Sequence, residues 1–532
     1  MEKLCAEYGL LRNEGSVVRV PFLIKGKLVA PPEISREQIE ASFSHAEKSV
    51  TCVKLPGVQL VREPVIERKA MKYTGEYIYQ VMPPVNAQGL IETDIDKLAG
   101  ELYRLSVEDI LEYLENILSA LLKNNRLVVQ VGEVCRLTSE FPDAFLDGWF
   151  ASLQSVFSRE VARQMIDAEL SFQGKTGSDF LNGWVEVPAR ISTGWLQRHA
   201  RGLFGRGTVE ESAKSYIRAM PTRQLHITAG NAPEVPLVSA LRAVLTKSAA
   251  VIKLPYGATL AGALFSAAVA SAAPDHPITK NLSMVYWPGG DESIENILFM
   301  PDAFDRIVVW GSPETVASVR SRALFTRVIY LNPRYGVSLI GNEAFSGNLE
   351  ETVMKASLDV MNYNQKACTS SLVHYVEGTE EQANEYAGVL CKILGEWDTG
   401  IPNFVPPSAV GQIKRMRRGR YINARWCINT PGDDFSSGVV VVPGEFDILD
   451  HPMCRLVVVR PVANLDDTLG YLNQYVSTAG VYPEERRFRL RDRITARGVS
   501  SVFPLGQCER VYAGMPHDGM RVLSELVEWK NA

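Results

Sequence analysis

The chain has 532 residues, of which 46% are hydrophobic and 22% charged, with 40 glycines and 29 prolines; this usage excludes a disordered, collagen-like or low-complexity protein. At roughly 150 residues per domain the length admits three or four units, or two large ones. Lys and Arg number 56 against 61 Asp and Glu, and a formal charge of -5 gives no global attraction to nucleic acid or to an anionic membrane surface.

The first residues, Met1-Glu2-Lys3-Leu4-Cys5-Ala6-Glu7, mix charges and lack the apolar core of an export signal, so a cytoplasmic location is expected. Residues 17–67 are rich in Val, Ile, Pro and Gly and predict short strands. Ser106 to Lys123 has helical periodicity behind a Ser cap with Asp109 three residues on. Between Phe141 and Pro221 aromatic and charged residues mix without a period, and only helices with irregular joins are predicted.

From Gln224 the pattern sharpens. Apolar runs Leu225–Thr228, Ala250–Leu254, Leu282–Trp287, Asp305–Trp310 and Arg327–Leu331 alternate with helices beginning near Glu234, Ala258, Glu292 and Pro313. Near-continuous apolar strands alternating with helices predict a doubly wound parallel sheet covered on both faces. Its ligands then bind beyond the carboxyl ends of the strands, at the turns Ala229–Pro233, Lys253–Gly257, Pro288–Asp291 and Gly311–Pro313. The uncharged stretch from Leu254 to Pro274 is mostly Ala, Gly and Ser with a proline at each end, which reads as a buried helix and not a membrane span.

A second α/β unit follows: strand Val337–Ile340, helix Leu349–Met361, strand Leu372–Val376 and helix Glu380–Trp397. Beyond Pro406 come a basic run, strands Gly438–Val442 and Leu456–Val459, a helix from Leu465, and a terminal amphipathic helix Gly519–Trp529. The basic run holds Lys414, Arg415, Arg417, Arg418 and Arg420, and reads as a solvated helix face or as an attractor for a CoA phosphate or an acidic carrier. Cys5, Cys52, Cys135, Cys368, Cys391, Cys427, Cys454 and Cys508 show no Cys-x-x-Cys pair and no His at zinc spacing, so free thiols and no metal are expected.

Cys368, in a polar turn between a helix and a buried strand, is the candidate nucleophile for a thioester or carbonyl; the alternative is a small buried hydrophobe. Asn231, on the turn after the first strand of the parallel sheet, can donate to a developing oxyanion or simply shape the turn. Lys253 ends a buried strand where an ammonium can hold ribose hydroxyls or phosphate, and no acidic residue in 254–258 repels a 2'-phosphate, which favours NADPH. Gly311-Ser312-Pro313 offers a close-approach glycine, a cap and a helix start for an anion. No Gly-x-Gly-x-x-Gly or Walker loop is present.

Taken in order, Thr228-Ala229-Gly230-Asn231-Ala232-Pro233-Glu234-Val235-Pro236, Val251-Ile252-Lys253-Leu254-Pro255, Trp310-Gly311-Ser312, Asn364 to Ser371 and His517-Asp518-Gly519-Met520 resemble the aldehyde dehydrogenase superfamily, most closely its acyl-CoA reductase branch, the LuxC-like fatty acyl reductases of bacterial luminescence. The resemblance runs from about Val18 to the C-terminus. It implies an α/β fold with a cofactor domain, a catalytic domain and a small oligomerisation element. The divisions expected are a strand-rich region 1–100, a dinucleotide-binding domain 101–331 rejoined by about 470–512, a catalytic domain 332–469 and a C-terminal segment 513–532.

The same resemblance implies that Cys368 accepts the acyl group, that Asn231 and the Cys368 amide form the oxyanion hole, and that Lys253, Pro255, Gly311 and Ser312 hold the dinucleotide, NADPH or alternatively NADH. Hydrolytic members carry a water-activating Glu in a Glu-Leu-Gly-Gly run; the aligned segment here reads Tyr330-Leu331-Asn332-Pro333-Arg334, which suits reduction of an acyl-Cys over its hydrolysis. The usual ribose-binding Glu-x-Phe is not evident near Asp450-His451-Pro452-Met453. The expected substrate is an acyl-CoA or an acyl-carrier protein, with an acyltransferase partner and homo-oligomeric assembly. The alternatives are an aldehyde dehydrogenase or acyl-phosphate reductase of the same fold, and a non-catalytic scaffold in an acyl-transfer complex.

Overall fold

The buried apolar runs of residues 224–331 form the expected sheet. In the computed structural model, strands Arg223–Ile227, Ala249–Lys253, Leu282–Val285, Arg306–Trp310 and Arg327–Leu331 all run parallel. Residues 16–44, 50–148, 157–190, 212–230, 232–430, 434–510 and 512–532 are described, together with Met1, Leu4, Cys5, Leu10, Glu47 and His199. Across the sheet the order is Arg327–Leu331, Arg306–Trp310, Arg223–Ile227, Ala249–Lys253, Leu282–Val285, continued by the hairpin Phe22–Ile24 and Lys27–Val29. The chain therefore winds outwards in both directions from Arg223–Ile227. The switch point lies between that strand and Arg306–Trp310, where sheets of this kind bind ligands.

Helices Val235–Leu245 and Thr259–Ala272 pack on this sheet, and most of the second is buried because its Ala, Gly and Ser side chains permit close approach. No helix among the described residues is long and apolar enough to cross a membrane. Helix Val107–Lys123 starts with a Ser106–Asp109 capping box and buries Ile110, Leu111, Leu114 and Ile117 in the same core. A four-stranded sheet of Val17–Arg19, Lys72–Met82, Val58–Glu67 and Cys52–Leu55 lies in the N-terminal region.

The second sheet has the order Arg425–Asn429, Ser437–Val441, Leu456–Val462, Ser371–Glu377, Tyr335–Ile340, Val476–Tyr482, Ser501–Pro504. All neighbours are parallel except the edge pair Arg425–Asn429 and Ser437–Val441. The basic run forms helix Pro407–Arg418, with Lys414, Arg415, Arg417, Arg418 and Arg420 exposed around a buried Ile413 and Met416.

Four expectations are corrected. Residues 470–512 do not rejoin the cofactor sheet: Val476–Tyr482 is buried along most of its length, pairs with Tyr335–Ile340, and so completes the second sheet. The terminal helix is only Val522–Leu526, because Glu528–Asn531 instead pairs antiparallel with Ser212–Met220, which also pairs with Val185–Arg190. That three-stranded sheet lies where only helices were predicted, its strands being joined across distant segments. Cys391 and Cys427 form a disulfide between helix Glu380–Gly400 and the edge strand beside it, whose Cα atoms stand 6.2 Å apart.

Candidate active site

Cys368 precedes Ser371–Glu377, the central strand of the second sheet, and is half-buried. The loop that carries it is held by side chains. Tyr363, Asn364 and Gln365 take φ of 47°, 56° and 63°, a left-handed conformation that costs roughly 1–2 kcal/mol per non-Gly residue. Buried hydrogen bonds oppose that cost. Asn364 donates to Asn403 Oδ1 at 2.7 Å and accepts from Arg455 Nε at 2.7 Å, while Gln365 donates to the carbonyls of Leu456 and Ser371 at 2.8 and 3.1 Å. Arg455 is itself ion-paired with Asp398 at 2.7 Å. Gly336 lets the loop lie close over its strand, since a Cβ there would stand 2.4 Å from the Thr369 carbonyl. Ser477 donates to the Cys368 carbonyl.

The thiol meets charge from the far end of the chain. Arg334, just beyond strand Arg327–Leu331, lies 3.4 Å from the Asp518 carboxylate and donates to Ser500 Oγ at 2.7 Å. Burial, then the Asp518 charge, pushes the Cys368 thiol up to about 11, against the opposing pull of Arg334. Burial also raises Asp518, opposed by Arg334 and Arg242. Asp518 occupies a tight turn, with φ of 52°, closed by paired hydrogen bonds of 2.9 Å between His517 and Met520.

His517 packs edge-on against Trp310, with centroids 5.1 Å apart, and accepts from Arg242 at Nδ1 over 3.3 Å. Because Arg can only donate, His517 carries its proton on Nε2. Burial, then Arg242 and Arg334, lowers its pKa to about 3, so the ring is neutral.

Tyr363 donates to Glu234, the residue that opens helix Val235–Leu245. Burial raises the Glu234 carboxyl, and its second oxygen has no hydrogen-bond partner among the described residues. Asn231 lies outside the described residues. Gly230 lets its turn touch the next one: a Cβ would stand 2.8 Å from the Tyr256 carbonyl and 3.5 Å from Pro255 Cβ.

Lys253 ends its strand at that same edge. Its ammonium faces Trp287 and Tyr286, 5.3 and 5.8 Å from their ring centroids, and burial lowers it to about 8 against the pull of Glu295. Ser312 caps helix Pro313–Arg322 by accepting from Thr315 N at 3.4 Å, with Gly311 before it. A buried ammonium backed by rings, a glycine that keeps the neighbouring turn close and a helix start beside the switch point fit a dinucleotide's anionic and hydroxyl groups. Lys253, Pro255, Gly311 and Ser312 are thus brought to one sheet edge, while Cys368 belongs to the other sheet.

Glu234, Tyr363 and Arg334 were not among the candidate side chains, whereas Asp518 stood in the His517-Asp518-Gly519 turn that the sequence singles out. Asp518 was signalled by that turn, and Arg334 by its place in the segment where the resemblance puts a water-activating Glu.

Residues 208–529 match the family described as Acyl-CoA reductase (LuxC). A long-chain acyl-protein thioester reductase of Photorhabdus laumondii subsp. laumondii is 28% identical over 65% of this chain and 74% of its own length. One from Vibrio harveyi is 26% identical over 59% of this chain and 65% of its own length. The fold is that of the aldehyde dehydrogenases. NADP-dependent glyceraldehyde-3-phosphate dehydrogenase from Bacillus halodurans superposes with a TM-score of 0.67 at 14% identity, over 96% of this chain and 98% of its own. Aldehyde dehydrogenase 21 from Physcomitrella patens gives 0.66 at 12% identity, over 96% and 97%.

Proposed function

The chain belongs to the acyl-CoA reductase (LuxC) family, and from that premise we propose that it reduces an acyl thioester to an aldehyde through an acyl-Cys368 intermediate, with NADPH as reductant. The observation that carries the reading is the half-buried thiol of Cys368, on a loop locked by Asn364, Gln365 and Arg455. A nucleophile so fixed meets its carbonyl without reorganising.

Cys368 Sγ attacks the thioester carbonyl and the donor thiol leaves. Asn231, by family resemblance, and the Cys368 amide donate to the oxyanion. Lys253, Pro255, Gly311 and Ser312 would hold the cofactor, and NADPH when bound would supply hydride to the acyl-Cys carbonyl. Asn231 steadies the resulting oxyanion, and expulsion of the Cys368 thiolate frees the aldehyde. In the segment that holds the water-activating carboxylate of hydrolytic relatives stands Arg334, a cation that cannot act as a base.

The donor is a long-chain acyl group carried on protein, as the names of the relatives suggest, or on CoA, as the description of the family does. Purified protein is expected to oxidise NADPH only when an acyl-CoA or acyl-protein is added, and Cys368→Ala to abolish that turnover. Undiminished turnover in the variant, or activity confined to acyl phosphates or to aldehyde oxidation, contradicts the proposal.

A further inference from the structure

Cys391 and Asp398 stand at positions i and i+7 of helix Glu380–Gly400, so their side chains leave one face of it, about 10 Å apart along the axis. That face meets the edge of the second sheet. Cys391 is bonded to Cys427 of the edge strand Arg425–Asn429, whose partner in the sheet is Ser437–Val441. Gly395 brings helix and strand close, since a Cβ there would stand 3.1 Å from the Asn429 side chain. The disulfide is the covalent tie between the two elements.

Hydrogen bonds run on from that tie to the loop of the nucleophile. Asn429, at the end of the edge strand, donates from Nδ2 to the Cys391 carbonyl at 2.7 Å and to Ser437 Oγ at 2.9 Å. Ser437 donates onwards to Asp398 Oδ2 at 2.6 Å, and Asp398 Oδ1 holds Arg455 Nη1 at 2.7 Å. Arg455 Nε in turn donates to Asn364, on the loop that carries Cys368. A second route passes through Asn403, which donates to the Ser436 carbonyl at 2.5 Å and accepts from Asn364 at 2.7 Å. Asp398, Asn403, Arg455 and Asn364 are buried, so a bond lost among them is not made good by bulk water.

Resting on the acyl-Cys reading, we infer that the Cys391–Cys427 disulfide is a redox switch on Cys368: the oxidised pair holds the loop ready for acylation, and a dithiol reductant releases it. Cys427 is exposed and Cys391 buried, so a thiolate of the reductant attacks Cys427 Sγ. The Cys391–Cys427 bond breaks, and Cys391 leaves and takes a proton. The second thiol of the reductant then displaces Cys427, which takes the second proton. Two electrons have passed to the pair, and the reductant is left as its own disulfide. The edge strand now keeps its ladder to Ser437–Val441 without the tie to the helix. The new Cys391 thiol lies 3.9 Å from Asn429 Oδ1, where it competes as a donor for the side chain that begins the relay.

The test compares native protein, oxidised or reduced with dithiothreitol and freed of it by gel filtration, with Cys427→Ser taken through the same steps. Peptide mass spectrometry reads the link between Cys391 and Cys427, single-turnover acylation by dodecanoyl-CoA without cofactor reads Cys368, and amide hydrogen exchange reads residues 362–371. Reduction is expected to slow acylation of native protein by about 3- to 30-fold, to speed exchange in 362–371 and in the edge strand, and to be reversed by reoxidation. Cys427→Ser should match reduced native protein and ignore dithiothreitol, which separates the switch from any effect of the reductant on Cys368 itself. Acylation within twofold in the two redox forms, unchanged exchange in 362–371, faster exchange spread equally over the cofactor sheet, or no linked peptide in the oxidised protein overturns the switch alone. No adduct on native protein in either form overturns the acyl-Cys reading, and the exchange measurement still decides whether the disulfide governs the loop.

Discussion

Tyr363 donates its hydroxyl hydrogen to Glu234, tying the loop that carries Cys368 to the head of the helix that follows strand Arg223–Ile227. The bond joins the two sheets at the site. The second Glu234 oxygen has no side-chain partner among the described residues, and Tyr363 is the side chain that donates to this carboxyl.

Tyr363→Phe therefore leaves a buried acceptor without its hydrogen bond, a loss of about 1–3 kcal/mol. Urea denaturation is expected to show a fall of that size, and Cys368 acylation to slow as the loop loses its tether. A variant as stable and as readily acylated as native protein would contradict the link.

Arg455 and Asp398 are 1% and 8% exposed, and Arg455 also donates to Asn364 Oδ1 and to the Ile401 carbonyl. Arg455→Met strands a buried carboxylate, which costs about 3–5 kcal/mol. Arg455→Lys cannot reproduce three fixed donors. Both variants should lose stability in thermal melts, and whatever folds should be acylated slowly because Asn364 is no longer held.

Lys253 is lowered to about 8 by burial, so its charge is present below that pH and lost above it. NADPH binding, read by quenching of protein fluorescence, is expected to weaken as pH rises from 7 to 9. Lys253→Met should bind weakly throughout and lose the dependence. An equal pH dependence in the variant would remove Lys253 from the cofactor site.

Asp359 accepts from the amides of Gly506 and Cys508 at 2.8 and 2.9 Å, yet burial outweighs those bonds and raises it to about 6 from an ordinary 3.8. Between those values the native protein holds a proton that the unfolded chain has released. Its contribution is full below the lower value and fades as pH rises to the upper, by about 3 kcal/mol. Urea midpoints of native protein minus those of Asp359→Asn should fall across that window. Parallel curves would contradict the assignment.

The parallel sheet was legible because all but its edge strand Arg327–Leu331 are buried on both faces and read as short, almost unbroken apolar runs between helices. The strand boundaries expected around 225–331 lie within two residues of those found. The pairing of Glu528–Asn531 with Ser212–Met220 was not legible: Trp529 and its neighbours suit a helix or a strand locally, and the partner that decides lies far away in the chain. The disulfide between Cys391 and Cys427 escaped notice for the same reason. In the site, Cys368 and Lys253 stood out because their local settings are polar turns at strand ends. Arg334 and Asp518 showed only as a departure from the resembled segment and as a turn, since their meaning comes from the ion pair between them, and no local pattern encodes that pair.

The most direct test of the central claim is to incubate the protein with an acyl-CoA in the absence of reductant and locate any adduct by mass spectrometry of the intact chain and its peptides. A single acyl group, mapped to Cys368, absent from Cys368→Ala and discharged as aldehyde when NADPH is added, is the expected result. An adduct on another cysteine, or undiminished acylation of Cys368→Ala, would contradict it.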